Sequence, residues 1–338
     1  MTNILKIVFV IIGSIIGAGF ISGQEIYTFF LKFGNIGIAC IILMGIILGI
    51  VIYKTCFIIM KNKNKNYGEF LDSILQSKYT MIRIFINSLI NVFLLISFFI
   101  MCAAFCAYFK QEYNISVYLS GLIISIICYM IFVKNIKAII KVNQILMPII
   151  IILIFFLVIK INIQQVSIKN AENSILAILN CMIYVSYNTI ILIPILIKLK
   201  SYMKDIKSIL VSSIVCSIII ISMALIILCI ISQIKEIKLI EIPLLYVTNS
   251  YGEVYKYIYS FVLIVAIITS AISAGYGFLE NITKDKQRYL IFAFFICVFS
   301  IFISNFGFSN LVNILYPLFG ILGLIQIFFI LKYWKILI

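Results

Sequence analysis

The stretch GSIIGAGFISGQEIYTFF, Gly13 to Phe30, decides how this chain is read. It lies inside the first long apolar run and places four glycines and one carboxylate, Glu25, where a membrane span would otherwise be unbroken hydrocarbon. Glycine loosens a helix and lets the backbone leave it. In lipid, the N–H and C=O groups freed that way must be buried in protein or line a cavity, because no water is there to take them. An acid at such depth is costly to keep, and for that reason marks a functional site. The stretch reads as a broken first helix with a binding site built around the break.

Composition agrees with a membrane setting. Of 338 residues, 64% are hydrophobic and 11% charged, against about 25% charged in soluble domains. Apolar runs of about 20 residues recur along the chain, each long enough to cross a core of about 30 Å. The fold class is therefore an all-α polytopic membrane protein. A net charge of +15 would suit nucleic acid, but the lysines sit in short connections, where membrane topology accounts for them. The lipid bilayer is the expected partner, and nucleic acid is not. The nine cysteines form no CxxC pair and histidine is absent, so buried apolar thiols are expected rather than disulfides, metal or cofactor. Lys6, an apolar stretch and Gly17-Ala18-Gly19 mimic a signal peptide, but the apolar character continues to Leu31, which favours a retained span.

Ten spans are expected, over 5–31, 36–60, 81–109, 115–133, 139–159, 175–197, 206–231, 257–279, 290–303 and 311–331. A lysine-rich loop covers 61–73, a polar connection 160–173, and the 232–256 connection holds a short surface helix around 242–249. With ten spans, one side of the membrane receives 19 of the Lys and Arg residues and the other seven. The positive-inside rule then puts both termini in the cytoplasm, with the chain in the cytoplasmic membrane.

The chain also echoes itself. ILMPI at 145–149 resembles ILYPL at 314–318, with Pro148 and Pro317 169 residues apart. The same offset lays the third span on the eighth, the fourth on the ninth, and Gly17 on Ser186 in the polar patch YVSYN of the sixth. Five spans is an odd number, so the halves must be inverted, as in many secondary transporters whose sites form where two matching helices break. The whole chain, 1–338, is then one transmembrane domain, with repeat one over about 1–165 and repeat two over about 170–335.

GAGFISGQE, followed by FF and then FG, resembles the YkvI-like membrane proteins, a family read as amino-acid permeases of the amino acid–polyamine–organocation superfamily. The resemblance implies the five-plus-five inverted-repeat fold shared with sodium-coupled amino-acid transporters. It also implies alternating access around broken first and sixth helices. It names no substrate.

Roles follow on these residues. Where the chain unwinds at Gly17, Ala18 and Gly19, the amides of the following half-helix would face the gap and suit a substrate carboxylate. Glycine there permits close approach and positive φ. The competing reading is packing, since Gly13/Gly17 and Gly19/Gly23 are GxxxG pairs. Glu25 would stand about 12 Å beyond Gly17 on an intact helix, to bind a substrate ammonium, carry a proton or hold neighbouring helices. Tyr184, Ser186 and Asn188 would bind substrate, cap broken ends or join helices. Asn91 of the third span, favoured over Asn87, would face the cavity. Thr269, Ser270 and Ser273, through the likeness to sodium-coupled relatives, would join carbonyls of Gly13 and Ile16 around a sodium ion, and oxygen ligands suit such a hard cation.

Three classes compete on these features. A secondary active transporter for an amino acid or similar small zwitterion, coupled to sodium or protons, fits best. A germinant-receptor-like subunit that binds an amino acid without moving it is the alternative. An enzyme is not expected, since the chain has no histidine, no metal cluster and no second membrane acid to pair with Glu25. A channel would leave the two matched breaks unexplained.

Overall fold

The computed structural model describes residues 3–65, 67–75, 80–134, 148–152, 154–156, 173–234, 236–283 and 285–333. Among them the chain is helical, with no strand. The opening apolar stretch forms three pieces, α1 (Asn3–Ile15), α2 (Ala18–Ile21) and α3 (Gln24–Phe29). A tight turn over Leu31–Phe33 leads into α4 (Asn35–Asn62). The lysine-rich loop carries α5 (Tyr67–Leu75), followed by α6 (Thr80–Tyr113) and α7 (Val117–Lys134). Residues 148–152 and 154–156 are helical. The rest of the fifth expected span, with residues 145–147 of the echo motif, lies outside the described residues. Then come α8 (Ser174–Lys198), α9 (Ile206–Ile231), α10 (Pro243–Asn249), α11 (Glu253–Ile282), α12 (Lys286–Ile303) and α13 (Phe308–Lys332).

Seven of these helices, α4, α6, α8, α9, α11, α12 and α13, are long and apolar enough to cross a membrane, and α1 and α7 are shorter apolar helices. Outward faces carry exposed Ile46, Ile50, Ile218, Phe295, Phe299 and Ile321. Large apolar faces of this kind need a nonaqueous neighbour. The chain is a multi-pass membrane protein.

Packing follows a pattern. Helix α1 lies against α8, α4 against α9, α6 against α11 and α7 against α12. Glycines allow the close approaches. A Cβ on Gly45 or Gly49 would strike Ile221 or Ser217 of α9, and one on Gly320 of α13 would stand 2.6 Å from the Ile183 carbonyl oxygen of α8. Between membrane helices, where the hydrophobic effect adds little, such backbone proximity is a main source of attraction.

The two ends of the bundle are separately tied. At one, the Lys6 ammonium lies 5.4 Å from the Tyr202 ring centre, Lys54 Nζ donates to the Leu331 carbonyl at 2.6 Å, and Asn62 Nδ2 donates to the Tyr333 hydroxyl at 3.2 Å. At the other, Glu112 pairs with Lys256 at 2.5 Å and accepts from Asn249 Nδ2 at 2.7 Å, while the Ile242 amide donates to Gln111 Oε1 at 3.2 Å.

The helix in the 232–256 connection corrects its expected place. Helix α10 starts at a proline, which lacks the amide that a first-turn position would leave unpaired. It does not lie on the surface, for Leu244, Leu245 and Thr248 are fully buried. It packs against α11 and α9, and the Leu244 amide donates to the Ser22 carbonyl of the first span at 2.9 Å.

Candidate functional site

The helix stops at Gly17, whose backbone is extended at φ −84° and ψ −174°. Its amide bonds back to the Ile15 carbonyl at 3.0 Å, and regular bonding resumes when the Ile21 amide donates to the Gly17 carbonyl at 3.0 Å. The amides of Ala18, Gly19 and Phe20 precede that bond, as first-turn amides do. Gly17 does not use positive φ. What it leaves is room, because a Cβ there would meet only Ser270 Oγ, at 3.8 Å. The conformational freedom of glycine is used at Gly23 instead, at φ 84°. The GxxxG pairs do not form continuous helix faces, because a break falls within each.

At this second break the freed backbone groups are paired. Ser22 Oγ donates to the Gly19 carbonyl at 2.8 Å, the Tyr259 hydroxyl to the Ile21 carbonyl at 2.7 Å, and the Leu244 amide to the Ser22 carbonyl. Helix α3 is also joined to α13, since Gln24 Nε2 donates to Ser309 Oγ and the Thr28 and Asn313 side chains bond, both at 2.6 Å.

The reversal at Gly23 relocates Glu25. An intact helix would carry it about 12 Å past Gly17, but here it folds back, and a Cβ on Gly19 would stand 2.9 Å from its Cδ. The half-helix that follows the break, α2, is four residues long. Glu25 is 4% exposed. The Tyr187 hydroxyl donates to its Oε2 at 2.6 Å. Tyr184 is fully buried beside it. Rings enclose the pair. Phe29 lies 5.3 Å from Tyr184 and 5.5 Å from Tyr187, Tyr316 stacks on Tyr187 at 4.7 Å, and Phe93 touches Tyr187, Tyr316 and Phe319. Among the described residues no lysine or arginine pairs with Glu25.

The sixth span corrects the other half of the expected site. Helix α8 is continuous from Ser174 to Lys198. It contains no glycine, and its polar side chains serve its own ladder: Asn180 Nδ2 donates to Leu176 O, Asn188 Nδ2 to Tyr184 O and Thr189 Oγ1 to Val185 O. Such back-bonding satisfies a polar group without opening the helix. Of the three residues picked from this patch, only Tyr184 meets Glu25. Ser186 faces α13, where a Cβ on Gly323 would lie 2.5 Å from its Oγ, and its buried hydroxyl has no partner. Asn188 is buried and turned to its own backbone. Tyr187 supplies the bond to Glu25, and its spacing of three from Tyr184 put it on the same face.

Elsewhere, Asn91 has a buried, unpartnered Oδ1, two residues from Phe93 in the ring cluster. Of the three α11 hydroxyl residues, half-buried Ser270 is the one whose oxygen faces Gly17. Thr269 Oγ1 donates to Val265 O at 2.9 Å, and exposed Ser273 donates to Thr269 O at 2.8 Å. Gly13 is half-buried in α1, and Ile16 is buried at its end.

No protein-family model matches the chain. It is similar to YkvI of Bacillus subtilis (strain 168), described as an uncharacterized membrane protein, with 26% identity over 334 residues that cover 94% of this chain and 92% of YkvI. It is also similar to YyaD of the same organism, 23% identical over 344 residues and covering 98% of each chain. The likeness first read in GAGFISGQE thus extends over nearly the whole length. Among solved structures, that of MhsT in complex with L-phenylalanine superposes with a TM-score of 0.67 and 16% identity, covering 96% of this chain and 87% of MhsT. The chain shares the fold of MhsT.

Proposed function

We propose that this protein is a secondary active transporter, moving a small amino-acid-like solute across the cytoplasmic membrane by alternating access. The observation that carries the proposal is the cut in the first span: three short helices, with Glu25 folded back against Gly19 inside a shell of rings. Backbone freed at that depth must be buried in protein or line a cavity, and at Gly17 it lies beside open space rather than a packed side chain. The fold shared with MhsT, which binds L-phenylalanine in its crystal structure, supports a solute with an apolar body. The packing of α4, α6 and α7 on helices five spans later, with the fifth span counted, supports an inverted repeat of 1–165 and 170–335.

Coupling to sodium would use Ser270 Oγ with the carbonyls of Gly13 and Ile16, and with Thr269 turned from its own helix. Coupling to protons would use Glu25. No other cofactor is proposed. The test is uptake of radiolabelled solute into proteoliposomes, with a sodium gradient and a proton gradient imposed separately. Accumulation above the outside concentration under either gradient establishes secondary transport, and saturable binding without accumulation would replace it with a sensor. Topology is tested by thiol labelling in cells. Lys65→Cys should label only after permeabilisation and Glu253→Cys without it, and the reverse pattern would put both termini outside.

A further inference from the structure

We propose that the turn between α11 and α12 holds the headgroup of a glycerophospholipid, with its phosphodiester on Arg288 and Thr283 and one acyl chain along a phenylalanine stripe of α12. The inference is independent of the transport reading.

The site begins with a cavity of about 410 Å³ lined by Ile282, Thr283, Arg288, Ile291 and Phe292. It lies where α11 ends at Ile282 and α12 begins at Lys286. Its lining divides by chemistry. Ile282, Ile291 and Phe292 are exposed apolar side chains, while Thr283 and Arg288 supply donors. The Thr283 hydroxyl oxygen accepts the Asp285 amide at 3.1 Å, which leaves its hydrogen to donate. Arg288 Nε stands 3.7 Å from Asp285 Oδ2, too far for a hydrogen bond, and so exposed a pair holds the side chain weakly. The Asp285 carboxylate is itself engaged as the α12 cap, its Oδ1 accepting the Gln287 amide at 3.1 Å. The guanidinium thus keeps a planar fork of donors, which matches a phosphate bidentately as an ammonium does not. Only two of the 26 basic residues in the chain are arginines, so arginine is the uncommon choice of cation here.

From the cavity, α12 supplies a track for an acyl chain. After Arg288, Phe292, Phe295, Phe299 and Phe302 follow at spacings of four, three, four and three, which places them on one face of the helix. All four rings are exposed, and α12 is the least buried of the seven helices able to cross a membrane. Phe292 to Phe302 covers about 15 Å at 1.5 Å per residue, the depth of one leaflet of a core of about 30 Å. A free phosphate would use the cavity alone, and bulk lipid the stripe alone. Phe292 lines the one and starts the other, and a phospholipid is the molecule that fills both. Basic pockets between membrane helices take lipid headgroups in this way. Helix α9 gives the contrast, for there exposed Lys207 precedes the aliphatic Leu210, Ile214 and Ile218.

The test titrates the purified, delipidated full chain with palmitoyl-oleoyl phosphatidylglycerol, with the diacylglycerol of the same chains and with glycerol phosphate, read by thermal shift and native mass spectrometry. A lipid that binds the native state raises the melting temperature by mass action. Phosphatidylglycerol should raise it, and the diacylglycerol and glycerol phosphate should each bind about tenfold or more weakly. Arg288→Gln should weaken phosphatidylglycerol about tenfold or more, and Arg288→Lys and Phe295→Ala several-fold, while Lys207→Gln should stay within about twofold. An equal loss in Lys207→Gln would assign the binding to diffuse surface charge, and equal binding of glycerol phosphate would leave an anion site without a lipid track. Either overturns the proposal. So would no shift with phosphatidylglycerol, an affinity unchanged in both Arg288→Gln and Phe295→Ala, or a lipid-free dimer that Phe295→Ala dissociates, which would give the stripe to a second copy of the chain.

Discussion

The first span and α8 meet at Glu25, where α3 and α8 are joined by the Tyr187 hydrogen bond. One is cut twice within 30 residues, and the other runs 25 residues without interruption. Both carry polar side chains inside an apolar run, so polarity does not decide which one opens. Glycine does. The first span has four between Gly13 and Gly23, and α8 has none. The two breaks differ in turn. The one at Gly23 is closed off by Tyr259, Leu244 and Ser22, while the one at Gly17 keeps space beside Ser270, with Glu25 folded against Gly19 two residues on. A paired break is structure, and an open one is where a ligand fits.

The largest effect should come from separating the two glycines of the open break. Gly19→Ala places a methyl group on the Glu25 carboxyl and must push it from Tyr187, so solute binding should weaken about tenfold or more. Gly17→Ala, at negative φ with only Ser270 Oγ nearby, should stay within about twofold. Equal losses at both would mean that Glu25 is not what Gly19 accommodates.

A smaller effect tests the paired break against the intact helix. Tyr259→Phe removes the donor to the Ile21 carbonyl, and leaving that group unsatisfied should cost about 1–3 kcal/mol in thermal or denaturant unfolding. Thr189→Val in α8 removes a bond to a carbonyl that the helix ladder already satisfies, and should stay within about 0.5 kcal/mol. Similar costs would erase the distinction between the two spans.

The smallest effect lies away from both. Asp205 caps α9, and Ser208, through its hydroxyl and an amide bond of 2.9 Å, holds the Asp205 carboxyl below its ordinary range. A depressed carboxyl adds stability above its unfolded value and loses it as the pH falls through the folded one. Asp205→Ala should therefore melt slightly earlier at neutral pH, and the two proteins should converge in acid. A gap that persists in acid would assign the cap to something other than charge.

Much of this was legible in the chain. Apolar runs marked the helices, and α9 begins and ends where hydropathy placed it. Gly17 and Glu25 stood out because each is expensive in lipid. The intact sixth helix was not legible, because a polar patch reads the same whether its groups cap broken ends or bond back one turn. Tyr187 was visible only as part of that patch. Its role depended on where Glu25 would be, and that depended on Gly23.

By itself, the sequence determined the membrane setting, the helical class and the position of the first break, since burial in lipid and the freedom of glycine act locally. The second break, the return of Glu25 to Gly19 and the ring shell were decided only in the tertiary structure. Gly23 can hold its positive φ in many settings, but its neighbours' carbonyls are satisfied only once Tyr259 and Leu244 arrive from distant helices. A buried carboxylate goes where donors are, and the donor to Glu25 is 162 residues further along the chain.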